Sequence, residues 1–134
     1  KKMISRSDLR KRAIAKLKDA DILYQNNRYD GAVYLSGYVM ELLLKARTCR
    51  TLNWTDFPES NREFENYKSF KTHNLDILLK LSGIESKIKN YHFVDWSNVN
   101  QWNPEMRYCA IGSVTQLQAK DMLSSIKNLM KVIK

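Results

Sequence analysis

Residues 32–44 read Ala-Val-Tyr-Leu-Ser-Gly-Tyr-Val-Met-Glu-Leu-Leu-Leu, apolar around most of the circumference of a helix. A helix of that kind has to be surrounded on several sides, so this segment commits the chain to folding as a bundle packed around it. With 134 residues to do the covering, one side is expected to need a second copy of the chain, and Ser36 and Gly37 would let a neighbour approach closely. The expectation is therefore a homodimer.

Around that centre the sequence predicts an all-α, compact up-and-down helical bundle of four to five helices, in one domain spanning 1–134. The first helix is expected to start at Ser5 or Ser7 and to end near Asn26. Leu9, Ala13, Leu17, Ala20 and Tyr24 recur at spacings of three and four and share a face, and Asn26-Asn27 suits a helix end because Asn tolerates left-handed backbone. The second helix is expected to open at Tyr29-Asp30 with Asp30 as N-cap and to reach Arg47. A long connection follows over 48–72, pinned by Trp54, Phe57, Phe64, Tyr67 and Phe70; loops of that length tend to be functional, mobile or partly helical. A short helix from Asn74 to Ser82 closes on Gly83, and 84–91 suits another. Residues 95–112 are the hardest to place, since Pro104 disfavours a helical Asn103. The last helix is the plainest: Thr115 and Gln118 form a capping box. Ala119, Met122, Leu123, Ile126, Leu129, Met130 and Ile133 make its buried stripe, flanked by Lys120, Lys127, Lys131 and Lys134.

Composition narrows the class further. Four glycines and two prolines are too few for the turns of a sandwich or barrel. No run of 18 apolar residues and no charged-then-apolar leader is present, which predicts neither a membrane span nor a signal peptide. Cys49 and Cys109 belong to no CxxC pair and only His73 and His92 are available as further soft ligands, so no metal and no cofactor is implied. Each cysteine reads as a buried reduced thiol, which suits the cytoplasm.

The net charge of +9 is concentrated at the start: Lys1, Lys2, Arg6, Arg10, Lys11, Arg12, Lys16 and Lys18 face Asp8 alone. Such a patch either meets phosphate or an acidic surface, with Arg10, Lys11 and Arg12 at its centre, or is a solvated helix face.

Three phrases carry a resemblance. Residues 29–46, Tyr-Asp-Gly-Ala-Val-Tyr-Leu-Ser-Gly-Tyr-Val-Met-Glu-Leu-Leu-Leu-Lys-Ala, resemble the second helix of HEPN domains, which reads Tyr, a two-residue gap, Ala, and an apolar run into Glu-(apolar)-(apolar)-Leu-Lys-Ala. Thr72-His73-Asn74-Leu75 is similar to the family's Thr-His-Asp-Leu segment, and Met106-Arg107-Tyr108 to the Arg-Tyr before the final helix in one branch. The resemblance implies a small helical bundle that commonly dimerises. It also implies association with a nucleotidyltransferase, toxin–antitoxin pairing or phage defence, with RNA or nucleotide as ligand. Some members are ribonucleases whose motif is Arg, four to six residues, then His. Here the seven residues after Arg107 hold no histidine, and neither His73 nor His92 follows an arginine at that spacing.

Each candidate site residue has two readings. Arg107 suits a phosphate, with Tyr108 stacking on a base; the plainer expectation is that Arg107 pairs with a carboxylate such as Glu41 and Tyr108 packs in the core. His73 serves as a base only if Arg107 lies near it, and otherwise bonds a backbone group where the third helix begins. Glu41 and Lys45, four apart in the favourable order, form an ion pair, or Lys45 reaches a phosphate. Trp96 and Trp102 either make a stacking platform or anchor an irregular segment. The leading expectation is a non-catalytic HEPN-type module acting through dimerisation and partner binding, with nucleotide or RNA binding added. The alternative is a metal-independent ribonuclease using Arg107 with a histidine from elsewhere. A third is a plain nucleic-acid binder driven by the N-terminal charges.

Overall fold

The computed structural model describes residues 3–58 and 72–134. Lys1, Lys2 and the expected anchors Phe64, Tyr67 and Phe70 lie outside the described residues. The chain runs β1 (Met3–Ser5), α1 (Arg6–Gln25), α2 (Tyr29–Thr51), β2 (Asp56–Pro58), α3 (Leu75–Ser82), α4 (Glu85–Tyr91), α5 (Phe93–Val99), a 3-10 helix (Pro104–Tyr108) and α6 (Gln116–Val132). This is the helical bundle that the periodicity predicts, but with six α-helices among the described residues where four to five were expected, α5 being the one without a sequence signal, and with a three-residue antiparallel ribbon added.

Local chemistry explains the boundaries. The Ser5 side chain accepts from the Asp8 amide and caps α1, and Asn27, at φ 62°, turns the chain into α2. Asn74 caps α3 by accepting from the amides of Asp76 and Ile77, and Gly83 ends it in the left-handed conformation. The Thr115–Gln118 capping box forms in both directions. Asp30, however, is not the N-cap of α2. The helix begins one residue earlier, with the Ala32 amide bonded to the Arg28 carbonyl. Asp30 therefore sits in the first turn, where its carboxylate accepts from the amides of Gly112 and Val114 at 2.7 and 3.1 Å and ties down the approach to α6.

The segment without a clear sequence signal is held by its tryptophans. Trp96 and Trp102 are both buried, and their indole N–H groups donate to the Asp76 carboxylate and the Tyr34 carbonyl at 3.1 and 3.0 Å. They are anchors, not a stacking platform, because a buried indole has no open face to offer. The β1–β2 ribbon, with Ile4 opposite Phe57, closes a second apolar cluster with Leu9, Ala46 and Cys49.

α2 lies at the centre, packed on α1, α3 and α6. Its residues Ala32, Val33, Val39, Met40, Leu43, Leu44 and Ala46 are all buried by the chain itself. The chain itself covers most of this helix, with Trp102 filling the side on which Gly37 offers a close approach, while Leu35 and Leu42 stay half-buried. Among the described residues, no helix is long and apolar enough to cross a membrane.

The N-terminal charges divide in two. Arg10 donates to the Ile133 carbonyl at 3.1 Å, while Arg6 and Arg50 reach the Lys134 carbonyl. These guanidiniums satisfy carbonyls left open beyond α6 and complement its negative end. Arg10 is thus a half-buried internal tie, whereas Lys11 and Arg12 are exposed.

Candidate functional site

One face of α2 gathers most of the candidate side chains. Tyr34, Tyr38, Glu41 and Lys45 follow one another at spacings of four, three and four, so they form a continuous ridge. At one end of it stands His73, two residues before α3; at the other lie the 3-10 helix and Arg107.

Glu41 is buried and shared. Its two carboxylate oxygens meet Lys45 Nζ at 2.9 Å and His73 Nδ1 at 2.8 Å. The expected Glu41–Lys45 pair therefore forms, and Lys45 also lies over the Phe57 ring. The expected backbone partner of His73 is replaced by a carboxylate, because the chain entering α3 crosses above Glu41. A carboxylate only accepts, so Nδ1 donates the hydrogen. The ring is 59% exposed, which leaves Nε2 open to a ligand.

Between His73 and Arg107 the tyrosines form a chain. The Tyr38 ring meets the rings of His73, Tyr34 and Trp102 edge-on, with centroids 6.4, 5.3 and 4.9 Å away. The Tyr34 and Tyr38 hydroxyls are 3.3 Å apart. Burial, and donation of its proton to Tyr34, push the Tyr38 phenol up to about 12. Tyr34 moves the other way: its oxygen accepts from Tyr38 and lies beside the Arg107 guanidinium, and both favour its ionised form. Lys16 adds a positive charge 5.8 Å from the Tyr38 ring centre.

Arg107 and Tyr108 do not sit as expected. Arg107 is exposed and Tyr108 is 72% exposed. Glu41 is taken by Lys45 and His73, so Arg107 lies against phenols instead, with its guanidinium 4.8 Å from the centre of the Tyr108 ring. The oxygens of Tyr108 and Tyr34 hold the arginine firmly in its charged form. The 3-10 helix explains this placement. Pro104 opens it with Asn103 as cap, and its tight turn directs Arg107 and Tyr108 outward while Met106 packs against the core.

Tyr34, Tyr38 and Lys16 are the site residues that sequence reasoning missed. The four-and-three spacing of Tyr34, Tyr38 and Glu41 was the available signal, but a tyrosine on an apolar helix reads first as core. The cysteines also divide. Cys49 is buried, as expected, and burial pushes its thiol up to about 11. Cys109, expected to be buried, is exposed because it follows the outward 3-10 turn. Among the described residues, no group of three His, Cys, Asp or Glu is placed to hold a metal ion.

The ridge and the helix packed beside it are also where the chain meets a known family. No curated protein and no solved structure matches the chain. The match is to a family model, the HEPN domain, over residues 7–54, the α1–α2 hairpin that carries Lys16, Tyr34, Tyr38, Glu41 and Lys45.

Proposed function

We propose that this chain is a non-catalytic HEPN-type module that binds the phosphate of RNA or of a nucleotide on the ridge running from His73 to Arg107. It works in a toxin–antitoxin, nucleotidyltransferase-linked or defence system, paired with a second copy of itself and with a protein partner. The observation that carries the ligand reading is the exposed Arg107 guanidinium set against Tyr34 and Tyr108. A guanidinium left out of carboxylate pairing keeps its donors for a phosphate. The exposed Tyr108 ring beside it supplies a face on which a base can stack.

The test is the affinity of a short single-stranded RNA at two salt concentrations. Arg107→Ala is expected to weaken binding at least tenfold and to lower the log–log salt slope by about one. If the wild-type chain shows no binding even at low salt, the reading fails.

One observation favours metal-independent RNA cleavage as a second reading: His73 is oriented by a buried carboxylate, with its other nitrogen open. That is the arrangement a general base uses. It ranks below binding because Arg107 has no histidine at the family's spacing. Cleavage in excess chelator that disappears in both Arg107→Ala and His73→Ala would reverse the order.

A further inference from the structure

A second concavity opens beside Arg107, between α5, the 3-10 helix and α6. Its volume is about 370 Å³, within the range of about 300–1,000 Å³ typical of small-ligand pockets. Val33, Trp102 and Met122 form an apolar floor, and the rim carries Asn98, Gln101, Gln118 and Asp121.

The hydrogen-bond state of that rim is specific. Asn98 spends its amide N–H on Ser125 Oγ at 2.9 Å, which leaves its carbonyl oxygen as an acceptor. Gln118 spends its carbonyl on the Thr115 amide in the capping box, which leaves its NH₂ as a donor. The side chains of Gln101 and Asp121 bond to no other described residue. The groove therefore presents an apolar floor with three acceptors, the Asn98 and Gln101 carbonyls and the Asp121 carboxylate, and donors from the Gln101 and Gln118 amides.

A flat heteroaromatic ring with mixed donors and acceptors on its edge matches this lining, and carboxamides are the side chains that pair with base edges. The carboxylate selects among bases. Asp121 rewards a ring edge with two neighbouring N–H donors, and guanine has one, at N1–H and the 2-amino group. Adenine offers a single amino group next to a ring nitrogen that would face the carboxylate's negative charge.

Position supplies the second argument. Met106, Ser113 and Val114 line both this groove and the depression that holds Tyr34 and Arg107. A base in the groove would have its phosphate directed toward Arg107 and away from Asp121. We infer that the groove between α5 and α6 is a guanine-selective base site whose nucleotide's phosphate is held by Arg107. The phosphate half rests on the function proposed above; the base half stands on the groove alone.

The test is calorimetric titration of the full chain with GMP, AMP and guanosine, on wild type, Asp121→Asn and Arg107→Ala. Asp121 is exposed and bonds to no described residue, so its replacement leaves the fold intact. GMP is expected to bind at least tenfold tighter than AMP. Asp121→Asn should erase that preference by weakening GMP and relieving the repulsion on AMP, and guanosine should bind wild type and Arg107→Ala alike. Equal GMP and AMP affinities, unmoved by Asp121→Asn, would overturn the base site. They would leave the phosphate-binding function standing if Arg107→Ala still weakens both nucleotides. Guanine preference that survives Arg107→Ala undiminished, for nucleotide as for nucleoside, would support the base site and remove the phosphate role of Arg107. Absence of binding by all three compounds would overturn the base site.

Discussion

Gly37 shows how much of the site depends on one missing methyl group. A Cβ at this position would lie 2.0 Å from the Trp102 indole, so Gly37→Ala has to displace a side chain that also packs on Tyr38 and bonds the Tyr34 carbonyl. The expected cost is about 1–3 kcal/mol of stability, typical of overpacking. It should be measurable by denaturant unfolding together with a shift in tryptophan emission. The thiols give a second residue-scale outcome. Cys109 should react with a thiol reagent in the folded protein at neutral pH, while Cys49 reacts only after unfolding. Burial raises both the Cys49 thiol, from 9.0 to about 11, and the Tyr38 phenol, from 10.0 to about 12. A raised acid of this kind favours the native state below its unfolded pKa, and the benefit is lost as pH climbs through the folded value. Stability should therefore fall from pH 9 upward, and in Cys49→Ala the part of that fall between pH 9 and 11 should be smaller.

At the scale of elements, the 3-10 helix and the turn leading into α6 present Arg107, Tyr108 and Cys109, and Asp30 fixes that turn from α2 through two charge-assisted hydrogen bonds. Asp30→Ala is expected to cost about 1–3 kcal/mol. It should also speed amide exchange at Gly112 and Val114 while leaving the centre of α2 protected. If exchange at those two amides is unchanged, Asp30 does not hold the segment. α1 to α4 and α6 were legible because apolar spacing, Ser, Asn and Thr caps and the left-handed Asn27 and Gly83 are local signals, whereas α5 and the 3-10 helix carry no such pattern. The ribbon was not: three-residue strands are too short to show an alternating pattern, and Ile4 and Phe57 pair across more than fifty residues.

For the whole molecule, the chain itself buries most of the apolar side chains of the central helix and leaves Leu35 and Leu42 half-buried. Under the proposed function the chain still associates, as HEPN domains commonly do. Light scattering of the purified chain is expected to give twice its 15.8 kDa mass. A monomeric mass at every concentration tried would remove pairing from the proposal without touching the ridge. The exposed apolar side chains Tyr91, Phe93 and Val94 lie at the α4–α5 corner, away from α2.

The sequence by itself determined the helical class, the Asn74 and Thr115 caps, the Glu41–Lys45 pair and the HEPN likeness of the second helix, because each is written within one helix or one turn. Tertiary structure decided which partner each polar group took. His73 went to Glu41 and not to a backbone carbonyl, Arg107 to the tyrosines and not to Glu41, and Arg10 to the Ile133 carbonyl and not to solvent. A side chain's spacing in the chain sets the face it occupies; its partner depends on which distant segment is packed against that face.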